Sequence, residues 1–405
     1  MICIRQTSIA VSAISLLAGC SSGRASSATV PRVAPSPYLF VWTNDADSVD
    51  LNYLAVVDAR EDAATYGDVV TTLAVPTSGR IRGHHTEHMM PSSGTLFAND
   101  FGTGKTYLID LRDPSHPALA DSFTAAGNLT FPHSFERLPN ENVLATFQTT
   151  GQGNTAPGGI AELDARGHRV RSGSAASGDL FIRPYSLAIV PSLDRVVTGS
   201  VDMRMAGDSR VVQVWRLSDL TLVRTITIPN DWGSAAEPRV LADGRTVLVS
   251  TFGCALLRIA DLEGSNPRAE LVYRFKGASC AVPVVAGHYW IQTVPGENAL
   301  IALDVQRPEA PREVSRVVLG AAHWPHWISL EPNGRRIVIT GYQATRYRVV
   351  IVKLDQSTGA LSLDAKFGAG SGGPGISFNR PNWPHGATGP GDPHGAVFSQ
   401  PQRNR

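Results

Sequence analysis

Histidine recurs at one position of a repeated pattern along the chain. His84 and His85 form a pair, and His133, His326 and His394 each follow a proline. Imidazole nitrogens bind copper, zinc and iron, and three or four imidazoles at bonding distance make a metal site. Because these residues are far apart in sequence, such a site requires a fold that brings equivalent repeat positions together.

Seven pairs of short β-rich runs occupy most of the chain. The first run of each pair lies at 38–42, 95–98, 142–146, 195–198, 246–250, 289–292 and 336–340. A second run follows each of them, from LAVVDA at 54–59 to VVIVKLD at 349–355. The first runs begin 43 to 57 residues apart, a spacing typical of propeller blades and too even for a pair of β-sandwiches. We therefore predict an all-β fold, a single seven-bladed β-propeller over residues 38–399.

One more strand is expected before each pair, and the His-bearing segments mark where it begins. The segment PHGAVFS at 393–399 has no pair after it, and the pair that begins at Tyr38 has no such segment before it. The C-terminal strand is therefore predicted to complete the first blade and close the ring. Innermost strands line the central channel, so their equivalent positions converge on one mouth of it.

The predicted ring makes His394, His84, His85 and His133 the candidate metal ligands, because their blades are neighbours. His326, in the segment HWPHW, is interpreted as lying far round the ring from His133, where it binds substrate or packs beside the tryptophans.

Other polar residues lie beside these segments. His88 and His385 are candidates for contact with substrate or with the ligand imidazoles. Glu87, Glu237 and Asp392 are candidates for orienting imidazoles, with solvated charge at the rim as the alternative.

Composition excludes several classes of protein. The 36 basic and 35 acidic residues give a net charge of +1, which argues against nucleic acid as a partner. A hydrophobic fraction of 42% excludes wholesale disorder. The chain has no nucleophile elbow and no HExxH motif, so those hydrolase classes find no support.

The N-terminal residues are typical of an export signal. Arg5 precedes an apolar stretch at 7–17 that is too short to span a bilayer, and residues 17–20 read LAGC, with Cys20 placed for lipid attachment. We expect residues 1–20 to be a lipoprotein-type signal peptide, 21–37 a flexible tether and 400–405 a C-terminal tail. The mature protein is then periplasmic or on the cell surface, held at the membrane only by its lipid; the alternative is a cleaved signal without lipid.

This interpretation leaves two cysteines in the folded part of the chain. Cys254 and Cys280 form one bridge in an oxidising compartment, or else remain small buried hydrophobic residues.

Several segments resemble the selenium-binding protein family, whose bacterial members include methanethiol oxidases. The resemblance extends over nearly all of 38–399, in TLFANDFGTGKTYLIDLRDPSHP, FPHSFERLPNENVLATF, APGGIAELD, FGCALLRI and GPGDPHGAVFS. It implies a seven-bladed propeller and copper bound by four histidines, which correspond here to His84, His85, His133 and His394. The family's CSSC segment is replaced by the residues TEHMM at 86–90, so selenium binding through a thiol is not expected.

The resemblance implies a copper-dependent oxidase that acts on a small thiol with dioxygen. Methanethiol would yield formaldehyde, hydrogen sulfide and hydrogen peroxide. Met89 and Met90 are soft ligands for reduced copper or else core residues, and a copper donor protein is an expected partner. Two alternatives stay open: a propeller lyase or hydrolase that uses zinc or calcium, and a non-catalytic lipoprotein that binds a partner or sequesters copper.

Overall fold

The computed structural model describes residues 33–401, except 80–82, 152–154, 205–206, 208 and 342–346. The described residues form seven antiparallel sheets arranged as the blades of a β-propeller, which confirms the predicted fold. The predicted signal peptide, Cys20, most of the tether and most of the tail lie outside these residues. No described helix is long and apolar enough to cross a membrane.

The blades follow one another along the chain, and blades 2 to 7 each run from the inner to the outer edge in sequence order. Blade 1 contains β1 (Tyr38–Asp45), β2 (Leu51–Asp58) and β3 (Val69–Ser78). Blade 2 contains β4 (Gly83–Thr86), β5 (Thr95–Asp100), β6 (Lys105–Asp110) and β7 (Ala118–Phe123). Blade 3 contains β8 (Ala125–Ala126), β9 (Leu129–Arg137), β10 (Val143–Thr150), β11 (Gly159–Leu163) and β12 (Arg169–Ser174). Blade 4 contains β13 (Pro184–Val190), β14 (Arg195–Ser200), β15 (Val211–Arg216) and β16 (Leu222–Thr227).

The remaining blades have the same plan. Blade 5 contains β17 (Ala235–Val240), β18 (Val247–Thr251), β19 (Ala255–Ala260) and β20 (Arg268–Arg274). Blade 6 contains β21 (Pro283–Ala286), β22 (Tyr289–Val294), β23 (Ala299–Asp304) and β24 (Arg312–Val318). Blade 7 contains β25 (Pro325–Leu330), β26 (Arg336–Gly341), β27 (Arg348–Leu354) and β28 (Leu361–Leu363), with β29 (Ile376–Ser377) paired to β27. Short 3-10 helices lie at Pro191–Leu193, Asn230–Trp232 and Pro295–Glu297.

The last strand, β30 (Gly391–Phe398), is the innermost strand of blade 1. It pairs antiparallel with β1, from Leu39 opposite Phe398 to Asp45 opposite Gly391. The ring therefore closes through the C-terminal strand, as the sequence predicts. This closure joins the two ends of the chain within one sheet.

The core lies between neighbouring blades. Middle strands are covered on both faces, so all six residues of β26, RIVITG, are buried. Outermost strands face solvent, and in β7 five of the six residues, ALADS, are exposed. Each blade needs its neighbours to cover its apolar faces, so the closed ring is the stable unit.

An ion pair and a disulfide each join adjacent blades. Arg336 and Glu331 form a buried ion pair, with Nη2 and Oε1 2.5 Å apart. The backbone N–H of Ser36 donates to the same Glu331 Oε1 at 2.7 Å, which connects blade 7 to the segment that precedes blade 1. A disulfide between Cys254 and Cys280 joins the β18–β19 turn of blade 5 to the segment that leads into blade 6. The structure thus has the bridged form of the two cysteine alternatives.

Candidate metal centre

The inner strands present their histidines through β-bulges at one end of the channel. In blade 2, Gly83 pairs with Asp100 and Thr86 with Ala98, so both His84 and His85 oppose a single residue of β5. A bulge re-aims the side chains that it carries. The backbone N–H of His85 donates to Asn99 Oδ1 at 2.7 Å, which holds this bulge in place.

The same irregularity recurs in the other His-bearing blades. The pairing of β9 with β10 shifts between Pro132 and Phe135, where His133 lies. The pairing of β30 with β1 shifts between Pro393 and Ala396, around His394. In blade 7 the shift falls between Pro325 and Trp327, at His326. The proline that precedes each histidine therefore marks a bulge that faces the channel.

Five imidazoles meet at this end of the channel. The rings of His84 and His85 stack with centroids 4.0 Å apart, and His394 lies 4.2 Å from His84. His133 lies 4.4 Å from His85 and 5.0 Å from His84, and His326 lies 4.9 Å from His394. The candidate ligand atoms of His84, His85, His326 and His394 all lie within 4.8 Å of one another.

The cluster is buried and uncharged at neutral pH. Its five side chains are between 0% and 8% exposed. Burial lowers the pKa of His133 to about 3 and that of His326 to about 4. The pKa values of the other three lie well below the ordinary value, first because burial disfavours the charged form and then because neighbouring imidazoles repel a further charge.

One hydrogen bond fixes the tautomer of His133. Its Nδ1 lies 2.7 Å from the backbone carbonyl oxygen of Tyr185, which only accepts hydrogen bonds, so Nδ1 carries the proton and Nε2 the lone pair. Within the described part of the chain, the buried Nε2 atoms of His133 and His85 have no hydrogen-bond partner. Buried lone pairs of this kind suit a metal ion, and a carbonyl behind the ring is a usual way to orient a ligand imidazole.

Aromatic side chains enclose the cluster. The ring of Tyr185 lies 3.9 Å from that of His133, Phe101 lies 5.8 Å from His133, and Trp327 lies 4.7 Å from His85. Tyr185 follows Pro184 just as His133 follows Pro132, so the position of Tyr185 in the repeat could have predicted that it lies at this site. Asn99 and Trp327 carry no comparable signal in the sequence.

His326 lies inside the cluster and not apart from it. From the sequence alone, His326 is expected to lie apart from the ligands because blade 7 is distant from blade 3, which carries His133. Ring closure makes blade 7 the neighbour of blade 1, whose inner strand carries His394, and β25 packs against β30. His326 is therefore near His394 although it is distant from His133 along the ring.

Other candidate residues lie away from the cluster. Glu87 forms an ion pair with Arg137 at 2.6 Å, and Glu237 forms one with Arg239 at 2.9 Å. His385 lies on blade 1, where its Nδ1 is 2.7 Å from Thr72 Oγ1.

His88 lies outside the cluster, in contact with Trp327 and Arg239. Its ring stacks on Trp327 with the centroids 4.2 Å apart. Met90 is buried and packs in the apolar core beside Leu96 and Val397, whereas Met89 is 63% exposed.

Comparison with known proteins identifies the fold. No protein-family model and no curated protein matches the chain. A hypothetical selenium-binding protein from Sulfolobus tokodaii is similar, with a TM-score of 0.68 and 15% identity over 91% of this chain and 94% of that one.

Two further solved structures share the propeller. A periplasmic gluconolactonase from Pseudomonas aeruginosa gives a TM-score of 0.62 and 15% identity, over 90% of this chain and 99% of that one. A streptogramin B lyase gives 0.54 and 13%, over 83% and 95%. Identities this low show the fold alone.

Proposed function

We propose that the imidazole cluster holds a copper ion and that the protein oxidises a small thiol with dioxygen. The observation that carries the proposal is the convergence of five buried, neutral imidazoles, one of which has its tautomer fixed by a backbone carbonyl. Imidazole nitrogen is a good ligand for copper, and neutral rings are the form that binds metal. The structural likeness to a selenium-binding protein is compatible with it.

The ligand set is proposed as three shared residues and one flanking residue. His84, His85 and His394 belong both to the set implied by the family resemblance and to the group within 4.8 Å. The resemblance adds His133, and the distances add His326. With either His133 or His326 as the fourth ligand, the site has four nitrogen donors. Single substitutions of these two histidines, followed by metal analysis, distinguish the two sets.

The protein's own residues have three tasks in this proposal. The bulged strands aim the imidazoles, and the Tyr185 carbonyl keeps the His133 lone pair on Nε2. The rings of Tyr185, Phe101 and Trp327 exclude water and offer an apolar surface to an alkyl group. A bound copper ion would lower the pKa of a coordinated thiol and accept electrons from it.

The proposed reaction balances with water as a reactant. Methanethiol, dioxygen and water give formaldehyde, hydrogen sulfide and hydrogen peroxide. The carbon attached to sulfur is oxidised by two electrons, dioxygen is reduced by two electrons to peroxide, and sulfur leaves as sulfide after water supplies the carbonyl oxygen.

Export is part of the proposal. The sequence of residues 1–20 supports a signal peptide with lipid attached at Cys20, and the Cys254–Cys280 disulfide is compatible with an oxidising compartment. Radiolabelled palmitate incorporation that a Cys20→Ser variant loses would support the lipid anchor; equal labelling of both chains would contradict it.

A second function is a lyase or hydrolase that uses a redox-inert metal. All donors of the cluster are nitrogens, which also suit zinc, and two structural neighbours carry lactonase and lyase names. The deciding experiment measures bound metal and thiol-dependent oxygen uptake on chain purified without chelator. Copper with oxygen uptake supports the oxidase, whereas zinc with no uptake favours the second function.

Variants connect that experiment to the cluster. His394→Ala should lose both metal and oxygen uptake, while His116→Ala, which removes an imidazole that is 84% exposed, should retain both. Full activity in His394→Ala with the fold intact by circular dichroism would overturn the proposal.

A further inference from the structure

Three side chains from three blades meet beside the imidazole cluster. Arg239 of blade 5 donates from Nε to the Pro283 carbonyl at 3.1 Å and from Nη2 to His88 Nε2 at 2.8 Å. The His88 ring stacks on Trp327 at 4.2 Å with an interplanar angle of 7°. We call Arg239, His88 and Trp327 the plug.

The plug is held firmly and meets the cluster on one side. The Trp327 indole N–H donates to the Ala396 carbonyl at 2.7 Å, and its ring lies 4.7 Å from that of His85. Arg239 is further fixed by Nη1, which donates to the Pro238 carbonyl at 2.7 Å and pairs with Glu237. Trp327 therefore contacts both the cluster, through His85, and the rest of the plug, through His88.

His88 and Arg239 of the plug line a cavity of about 550 Å³, which we call the lower chamber, and none of the five cluster imidazoles lines it. This volume lies in the range of small-molecule sites. The apolar part of its lining consists of Met90, Phe135, Val240, Val284, Val285 and Leu330. The charged part consists of Glu87, Glu136, Arg137, Glu141, Arg239 and Glu331.

The charges of the lower chamber do not balance. Glu87 is paired with Arg137 and Glu331 with Arg336. The remaining cation, Arg239, is paired with Glu237.

Two carboxylates are left over. Within the described ranges, Glu136 and Glu141 have no ion-pair partner. Glu136 is partly buried in the wall, whereas Glu141 is exposed to solvent. Burial raises the pKa of Glu136 to about 7, against the opposing effect of Arg239, and a cation in the chamber would favour the charged form of this carboxyl.

We propose that the lower chamber binds a small organic cation with an aliphatic body, its ammonium group on Glu136 and its chain on the valines and Leu330. The excess of negative charge disfavours an anion. An inorganic ion is disfavoured because two of the carboxylates are already engaged by arginines, and the described residues bring only the histidine group within metal-binding distance. This site goes beyond the proposed oxidase function and does not depend on it.

Calorimetry with butylammonium chloride as the probe tests the site directly. Butylammonium should bind at least tenfold more tightly than 1-butanol or sodium butyrate, which have similar aliphatic bodies without the positive charge. Glu136→Gln should weaken butylammonium binding about tenfold, to the level of butanol, which is the loss of one charge-assisted contact. Glu263→Gln, at a side chain that is 72% exposed, is the matched control and should leave binding unchanged.

Two further variants test the location of the site. Val284→Phe fills the chamber without changing its charge and should also abolish binding, provided urea denaturation shows a folded chain. His394→Ala should bind butylammonium normally because none of the cluster imidazoles lines the chamber. Equal affinity for butylammonium and butanol, an unchanged affinity in Glu136→Gln, or tighter binding of Mg²⁺ or Ca²⁺ would each overturn the proposal.

Discussion

Acid should unfold the metal-free chain steeply, because its buried imidazoles accept protons only when the chain unfolds. An unfolded histidine has a pKa near 6.5, whereas the folded values are about 3 for His133 and about 4 for His326. Below pH 6.5 the unfolded state therefore binds more protons than the folded state, and stability falls as the pH falls. The loss continues until the pH reaches the folded pKa values.

The size of the effect follows from these shifts. At pH 5, each of these two imidazoles removes about 2 kcal/mol of stability relative to pH 7.5. His84, His85 and His394 shift in the same direction. The loss from His133 and His326 alone is about 4 kcal/mol, a large fraction of the stability of a typical domain, and the other three imidazoles add to it.

Glu136 opposes this loss. Its folded pKa of about 7 lies above its ordinary value of 4.5, so the folded state binds its proton first as the pH falls. It contributes about 2.5 kcal/mol in favour of the folded state at pH 5. Since Glu87 and Glu237 shift in the same direction, a comparison between variants isolates the imidazoles better than the wild-type curve does.

Urea denaturation of chelator-treated protein at pH 7.5, 6.0, 5.5 and 5.0 measures the effect. His133→Phe removes one buried imidazole, so the pH slope of its unfolding free energy should be smaller than that of the wild type by about 1.4 kcal/mol per pH unit below pH 6. His168→Phe, at a side chain that is 70% exposed, is the control and should keep the wild-type slope. Equal slopes for wild type and His133→Phe would refute the buried neutral cluster.

Three further predictions concern the contacts that hold the ring together. Glu331→Gln leaves the Arg336 charge buried without its partner and should cost about 3 to 5 kcal/mol in urea denaturation; a cost below about 1 kcal/mol would contradict the tie between blades 7 and 1. Reducing the Cys254–Cys280 bridge, whose residues are 26 apart, should cost about 3.5 kcal/mol by the loop-entropy relation, and an unchanged urea midpoint in dithiothreitol would argue against it. Trp327→Ala should open the plug and speed the removal of bound metal by a chelator at least tenfold, whereas an unchanged rate would mean that the plug is no barrier.

The blade count and ring closure could be predicted from the sequence because the middle strands are buried on both faces. Runs such as IVI at 337–339 are continuously apolar for that reason and recur at blade spacing. The outermost strands were not assigned from sequence. ALADSF in β7 is exposed and has no apolar period, so only its pairing with β6 makes it a strand.

The candidate site was predicted in outline, since the Pro-His segments mark equivalent positions of the inner strands. The expected place of His326 was wrong although the signal was present, because the predicted ring closure already makes blade 7 the neighbour of blade 1, whose inner strand carries His394. The plug was out of reach, because the contact of Arg239 with His88 joins blade 5 to blade 2 across the channel.

The central claim is that the five imidazoles form a copper site, and metal analysis tests it most directly. Chain purified without chelator should contain about one copper per molecule by plasma mass spectrometry, as expected for one cluster. His394→Ala should contain none, and His116→Ala should match the wild type. The comparison of His133→Ala with His326→Ala then identifies the fourth ligand. No bound copper in the wild type, even after copper loading, or copper retained in His394→Ala, would contradict the account.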